Sequence, residues 1–301
     1  FLDHIMAGKL PKPGRISLTP MLTYRGKLYG DLTVACLDEN EFMVFGSGAA
    51  QEMHRRWFES HLEKFNLQYK NRSDEFHGLG IAGPKSRELL QKIVRESVSN
   101  DSFKFRDSRK MFVAGVPAIV NRISFTGELG YEIYVAPHFQ LKLYEELTKA
   151  GKEFNIKPFG GRALMSMRLE KNWGAWTLDY RPDFTAKETG LDIFINWDKD
   201  FIGKDYAQKD ESKNKLVPLI VETNDIDVTY NEAVLKDDKS IGYITSGGFA
   251  HFVNKSVAFS YVDQNELKSE KGIQVEINGD FFNCSIIKEP LYDPTGQKMR
   301  S

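Results

Sequence analysis

In the stretch RISFTGELGYEIYV, residues 122–135, a single carboxylate, Glu132, stands among apolar and aromatic neighbours on the segment's strand-like part. The stretch reads as a turn over 126–130 followed by a strand over 131–135. In that strand Glu132 shares a face with Tyr134 and lies opposite Tyr131, Ile133 and Val135. On a solvated face the acid is a surface charge. In a cavity it is costly to desolvate unless donors meet it, and a planar ring carrying adjacent N–H and NH2 groups would satisfy both oxygens at once. Alternation leaves both arrangements open. A second acid, Asp31 in LYGDLTV, faces with Tyr29 and Thr33 and poses the same choice. It is either an edge-strand charge that discourages pairing with another chain, or a carboxylate that takes or orients a proton on a nitrogen nucleophile.

Other motifs weigh less. Gly78, Gly80 and Gly83 spell G-x-G-x-x-G, but a dinucleotide site needs an apolar strand before the first glycine, and here the polar NRSDEFH precedes it. Those glycines are expected inside a strand. Trp173, Trp176 and Tyr180 form an aromatic group whose default is core packing; a stacking wall for a flat ligand is the alternative. The six histidines show no ligand spacing, so no metal is expected.

The elements that must position these residues follow from pattern. Strands are expected from Met21, with a turn at Arg25-Gly26 and a return through EFMVFG. Helical periodicity follows, with Met53, Trp57, Phe58, Leu62 and Phe65 on the apolar positions. A short strand and a helix flank the Gly83-Pro84 turn, and two strands split at residues 115–117 lead into the Glu132 segment. Helices are expected near 139–153 and 162–171, and a strand at LDIFINW, 191–197. The charged KDESKNK marks a boundary, giving regions 1–208 and 209–301; the second reads as a small antiparallel β module. Residues 1–14 read as the end of an amphipathic helix running into a Pro/Gly break, so the chain is expected to be a piece of something longer.

The chain has 301 residues with 41 basic and 42 acidic side chains, a net charge of −1. That is not the basic footprint of a nucleic-acid binder, and an anionic ligand must be met by a local cluster. No apolar run approaches the ~18 residues of a membrane helix. Cys36 and Cys284 form no CxxC and are expected as reduced thiols in a reducing compartment.

The Glu132 stretch, together with GRALMSMRLEKNWGAW, DFIGKDYAQ, YITSGGFAHFVNKSVAFSYV and IIKEPLYDP, resembles the folate-binding half of dimethylglycine and sarcosine dehydrogenases. That half is itself similar to the glycine-cleavage T-protein, an aminomethyltransferase. The resemblance covers nearly the whole chain. It implies an α+β fold, a cloverleaf of mixed α/β folate-binding domains followed by a small antiparallel β domain. It also implies tetrahydrofolate as cofactor, with capture of the one-carbon unit from oxidative demethylation as 5,10-methylene-tetrahydrofolate. FAD is expected only in an upstream flavin domain, a partner absent from these residues. The cytoplasm, or the mitochondrial matrix in a eukaryote, is the implied location. A free-standing aminomethyltransferase or folate-dependent methyltransferase, and a folate-binding scaffold without chemistry, are the competing readings.

By this resemblance Asp31 falls on the acidic position beside the folate's reacting nitrogens, as the catalytic residue, and Glu132 on the position that binds the pterin's 2-amino and N3–H donors. Leu32, Thr33, Ile133 and Tyr134 are the expected lining, with Phe125 replacing the family's usual Tyr. Ile193 stands where some relatives carry a Tyr near the ligand. Leu164 occupies the place of the T-protein Arg that holds the folate's glutamate tail, leaving Arg162 or Lys27 as substitutes. The segment KDFIGKDY lacks the cysteine of the iron–sulfur assembly branch.

Overall fold

A computed structural model describes residues 1–269 and 271–301. Strands β1 (Arg15–Leu22), β2 (Leu28–Asp38) and β3 (Glu41–Phe45) form an antiparallel sheet in that order. Period-two alternation sends Leu32 and Val34 of β2 into a core with Ile5, Met21 and Phe58. Phe58 lies on the helix Gln51–Glu59, whose side chains cover that face. The helix stops before Leu62 and Phe65, shorter than its hydrophobic pattern suggests. The first strand, by contrast, begins earlier than expected, at Arg15.

Strands β4 (His77–Ala82), β5 (Ser108–Val113), β6 (Val116–Asn121) and β7 (Gly130–Val135) make a second antiparallel sheet, ordered β4-β7-β6-β5. The β5–β6 turn is Ala114-Gly115, both with positive φ (51° and 74°), so Val116 and Pro117 belong to β6 rather than to the split. Pro117 is tolerated because β7 pairs with β6 only over Ile119 to Asn121, so no β7 carbonyl seeks its missing N–H. One face of this sheet buries Val120, Tyr131, Ile133 and Val135 against the helices Ser86–Ile93 and Gln140–Gly151, through Leu89, Leu90, Leu143 and Leu147. The opposite face carries Glu132 and Tyr134.

Strands β8 (Asn214–Val221), β9 (Ala233–Lys236), β10 (Lys239–Ala250), β11 (Lys255–Asp263), β12 (Ile273–Ile277) and β13 (Asp280–Ile286) close into an antiparallel barrel, ordered β10-β11-β8-β13-β12-β9. Its interior is aliphatic, with Val217, Leu219, Val234, Ile244 and Val275. The architecture is thus mixed α/β followed by a closed β barrel.

The strand expected at 191–197 is instead a 3-10 turn, Leu191–Phe194. Gly190, at φ +76°, ends the short helix Ala186–Thr189 and turns the chain directly into it. Beyond it only Ile195 makes a bridge, to Gly8. Apolar composition alone resembled a strand here because the turn packs Leu191 and Ile195 into the core.

The barrel is joined to the rest by a buried polar network. Arg168, on the helix Gly161–Glu170, donates from Nη1 to Asp179 Oδ2 at 2.5 Å, the two side chains being 1% and 0% exposed. The same Asp179 accepts from the Ala175 amide at 2.8 Å and from Thr245 and Ser246 of β10 at 2.5 and 2.7 Å. Tyr261 of β11 donates to the Asp179 carbonyl at 2.8 Å. A charge this deep is tolerable because every lone pair finds a donor.

Candidate active site

A cavity of about 1130 Å³ lies between the two sheets, the helix Gly161–Glu170 and the stretch after the barrel. β2 contributes Asp31 and Thr33, and β7 contributes Glu132 and Tyr134. Two acids some hundred residues apart therefore face one space. Phe125, in the turn before β7, lines it as well.

Leu32 and Ile133, expected in the lining, point the other way. Each sits between two cavity-facing residues on its strand, so the pleat sends Leu32 into the first core and Ile133 into the second, both essentially fully buried. Ile193 is 78% exposed and its neighbour Phe194 lines the cavity instead. Of the aromatic group, Trp173 is part of the wall, edge-on to Phe194 at 6.0 Å, while Trp176 and Tyr180 pack in the core. Neither substitute for the tail-binding Arg is in the wall. Lys27 pairs with Glu188 at 3.5 Å and Arg162 lies exposed at the start of its helix. The cations that do line the cavity are Arg106, Lys157, Lys171 and Arg300, and Leu164 is there too. Lys171 is committed to the Asp293 carbonyl at 2.6 Å.

Burial pushes the Asp31 carboxyl up to about 7, partly offset by its own backbone amide. Burial raises the Glu132 carboxyl too, and the Tyr134 hydroxyl, donating to Glu132 Oε2 at 2.7 Å, pulls it back. Among the described residues no cation contributes to either shift. Each acid is thus partly desolvated and short of donors, the condition in which a ligand bearing N–H groups binds well. Asp31 is poised where a carboxyl can exchange protons near neutral pH.

The floor beside Glu132 was not legible as a site. Gly80 and Gly78 of β4 pair directly with Glu132 and Tyr134. A Cβ at Gly80 would meet no atom of the described residues within 4 Å, whereas one at Gly78 would press on Tyr134 Cε1 at 2.9 Å. Gly78 and Gly80 are therefore within a strand, as expected, whereas Gly83 falls just past its end with φ +126°; the two strand glycines carry no side chain into the cavity wall. The sequence signal is a pair of glycines alternating on one strand face, which local pattern shares with a phosphate motif. Tyr134 in turn leans on Phe45 of β3, ring centroids 4.6 Å apart, joining the two sheets at the cavity's edge.

The chain from Tyr292 to Arg300 closes another side. Pro294, Thr295, Gly296, Met299 and Arg300 line the cavity, and the Tyr292 amide donates to the Glu170 carbonyl at 3.0 Å. Glu170 Oε1 accepts from the Phe252 amide at 2.6 Å. These bonds tie the loop carrying Lys171, Asn172 and Trp173 to the barrel's end.

Residues 1–199 match the GCVT N-terminal domain, and residues 214–293 match the glycine cleavage T-protein C-terminal barrel domain. The mitochondrial dimethylglycine dehydrogenase of Homo sapiens is 36% identical over 99% of this chain, which covers 36% of that protein. The chain thus spans about a third of the length of the dimethylglycine dehydrogenases it matches. An aminomethyltransferase of Thermoanaerobacter pseudethanolicus is 29% identical, with 99% of this chain and 82% of that one covered. The glycine cleavage aminomethyltransferase T of Bartonella henselae superposes with a TM-score of 0.86 over 97% of this chain and 81% of its own, at 22% identity, a likeness of fold. With both domain models matched in order along one cavity-bearing chain, the protein belongs to the glycine cleavage T-protein family.

Proposed function

We propose that this chain is a folate-dependent one-carbon transferase, and that it captures the iminium unit from oxidative demethylation of dimethylglycine or sarcosine as 5,10-methylene-tetrahydrofolate. The observation that carries the reading is the pair of donor-poor acids, Asp31 and Glu132, facing one cavity from two sheets. Tetrahydrofolate, when bound, supplies the nucleophilic nitrogens.

The residues present fit that ligand. Glu132 offers carboxylate oxygens to the 2-amino and N3–H groups of a pterin, which would otherwise lose their water partners on entering the cavity. The bare backbone of Gly80 leaves room beside it for a flat ring, while Gly78 gives its space to the Tyr134 ring. Asp31, near neutral in its titration, orients or accepts the proton of the attacking nitrogen. Arg106, Lys157 and Arg300 are the lining cations available to an anionic tail.

Dimethylglycine dehydrogenases are favoured as the functional model by their identity of 36–37%, against 28–30% for the aminomethyltransferases. The coverage of about four-fifths of the aminomethyltransferases supports a second reading, transfer from an aminomethylated carrier. Calorimetry with tetrahydrofolate tests the shared step. Supplying the purified protein with tetrahydrofolate and, separately, a methylglycine-oxidising flavoprotein or an aminomethylated lipoyl carrier separates the two donors by the rate of methylene-tetrahydrofolate formation. An absence of tetrahydrofolate binding would overturn both.

A further inference from the structure

Glu132 does not stand alone on its sheet face. The registers pair Ser108 with Asn121, Asn121 with Glu132, and Gly80 with Glu132, so these four residues form one row across β5, β6, β7 and β4. Asn121 is 0% exposed. Its Oδ1 accepts from the Ser108 hydroxyl at 2.7 Å, and its Nδ2 has no partner among the described residues. The oxygen and nitrogen of an amide diverge from one carbon. With the oxygen turned to β5, the spare N–H groups are left for the β7 side, where Glu132 sits. A buried donor without a partner destabilises the fold, and such groups in a native protein call for a reason.

Two residues along β7, Tyr134 donates to Glu132 Oε2 at 2.7 Å. The Tyr134 ring is fixed independently of that bond, between Phe45 and the bare backbone of Gly78. Its hydroxyl therefore holds the carboxylate rather than following it.

We propose that Tyr134 and Asn121 are positioning residues for Glu132, the first holding one carboxylate oxygen and the second keeping a buried N–H in reserve beside it, so that the acid presents its remaining lone pairs to paired N–H donors of the ligand. This rests on reading the cavity as a reduced-folate site. Glu132 remains the group that meets the ligand; the other two act through it. The unpartnered Asn121 amide is a cost of the ligand-free protein, relieved when the carboxylate oxygen that Tyr134 does not hold accepts from it in the ligand-bound protein.

The test uses Tyr134→Phe, which keeps the ring packing, and Asn121→Leu, which keeps the volume. Two readouts are taken on each: the titration midpoint of the Glu132 carboxyl in ligand-free protein, from carbon-labelled glutamate assigned by its loss in Glu132→Gln, and tetrahydrofolate affinity by calorimetry across pH. Tyr134→Phe is expected to move the midpoint upward, because a bond to the ionised form is lost. The pH at which folate binding sets in should rise with it. Each variant is expected to bind tetrahydrofolate roughly three- to tenfold more weakly, the size of one lost hydrogen bond, with the melting temperature of Tyr134→Phe close to the parent and that of Asn121→Leu lowered by the loss of the Ser108 bond. An unmoved midpoint in Tyr134→Phe overturns its positioning role whether or not folate binds, and unchanged affinity in Asn121→Leu overturns the role of Asn121. Failure of the parent protein to bind tetrahydrofolate removes the folate reading instead, and leaves the midpoint to decide whether Tyr134 holds Glu132.

Discussion

Gly80 lies directly across the β4–β7 pair from Glu132, and a methyl group added at Gly80 would enter open space. That relationship makes the cavity testable without touching an acid. Gly80→Leu is expected to leave the melting temperature near that of the parent, since a side chain in a strand position costs nothing where space is free. It should lower tetrahydrofolate affinity by about tenfold or more, a scale set by roughly 1.4 kcal/mol per decade. Calorimetry alongside a thermal melt checks it; an unchanged affinity would move the ligand elsewhere in the cavity. Gly78→Leu, pressing on Tyr134, should lose both stability and affinity.

Asp31→Asn is expected to abolish methylene-tetrahydrofolate formation while leaving tetrahydrofolate affinity within about twofold, a gap well under the ~1.4 kcal/mol of a decade. In the parent, the transfer rate should climb with pH and level off above about 7, the value to which burial raises the Asp31 carboxyl. A flat rate–pH profile in the parent, or activity in the variant, would remove Asp31 from the proton step.

The same shift has a consequence for stability, with a definite sign. A carboxyl whose folded value lies above its unfolded one binds more protons in the native state between the two, so stability falls as pH rises from about 4 to about 7. Asp31→Asn removes that slope. Denaturant melts at pH 5 and pH 8 should show the variant gaining on the parent at the higher pH. A variant that gains nothing would mean that Asp31 is better solvated than its burial suggests.

Glu132→Gln replaces a charge-assisted acceptor with an amide whose NH2 opposes the ligand's donors. Tetrahydrofolate binding should weaken by more than ~1 kcal/mol. Equal affinities by calorimetry would separate Glu132 from the pterin.

Arg168→Met leaves Asp179 charged and buried without its ion-pair partner, although Thr245, Ser246 and the Ala175 amide still donate to it. Loss of one partner of a buried pair typically costs about 3–5 kcal/mol, and a urea melt should show a drop of that order. A drop below ~1 kcal/mol would mean that the neutral donors carry the carboxylate by themselves.

What could be read ahead of the structure divides along physical lines. The β strands and most helices were legible because alternation and 3.6-residue periodicity report which side chains are buried, and burial decides those elements. Residues 191–197 misled because a 3-10 turn packed into a core shows the same apolar density as a strand. Asp31, Thr33, Phe125, Glu132 and Tyr134 share the cavity, but the one-residue steps to Leu32 and Ile133 cross the sheet and leave it. The roles of Gly78, Gly80 and Asn121 depend on strand register, which pairs residues distant along the chain and leaves no trace in local pattern. Arg300 and Lys157 likewise reach the wall from segments far apart along the chain, a meeting that local pattern does not report.

The bonds from Glu170 and Lys171 to residues 252, 292 and 293 give the barrel a reach beyond its own outline. The loop that bears Trp173 is braced from behind by a structure containing none of the acids. Substitutions in the 250–254 turn or at residues 292 and 293 should therefore surface as defects in ligand handling before they surface as unfolding. A survey of damaging variants would find the binding phenotype smeared over both halves of the molecule, with the acidic pair only its centre.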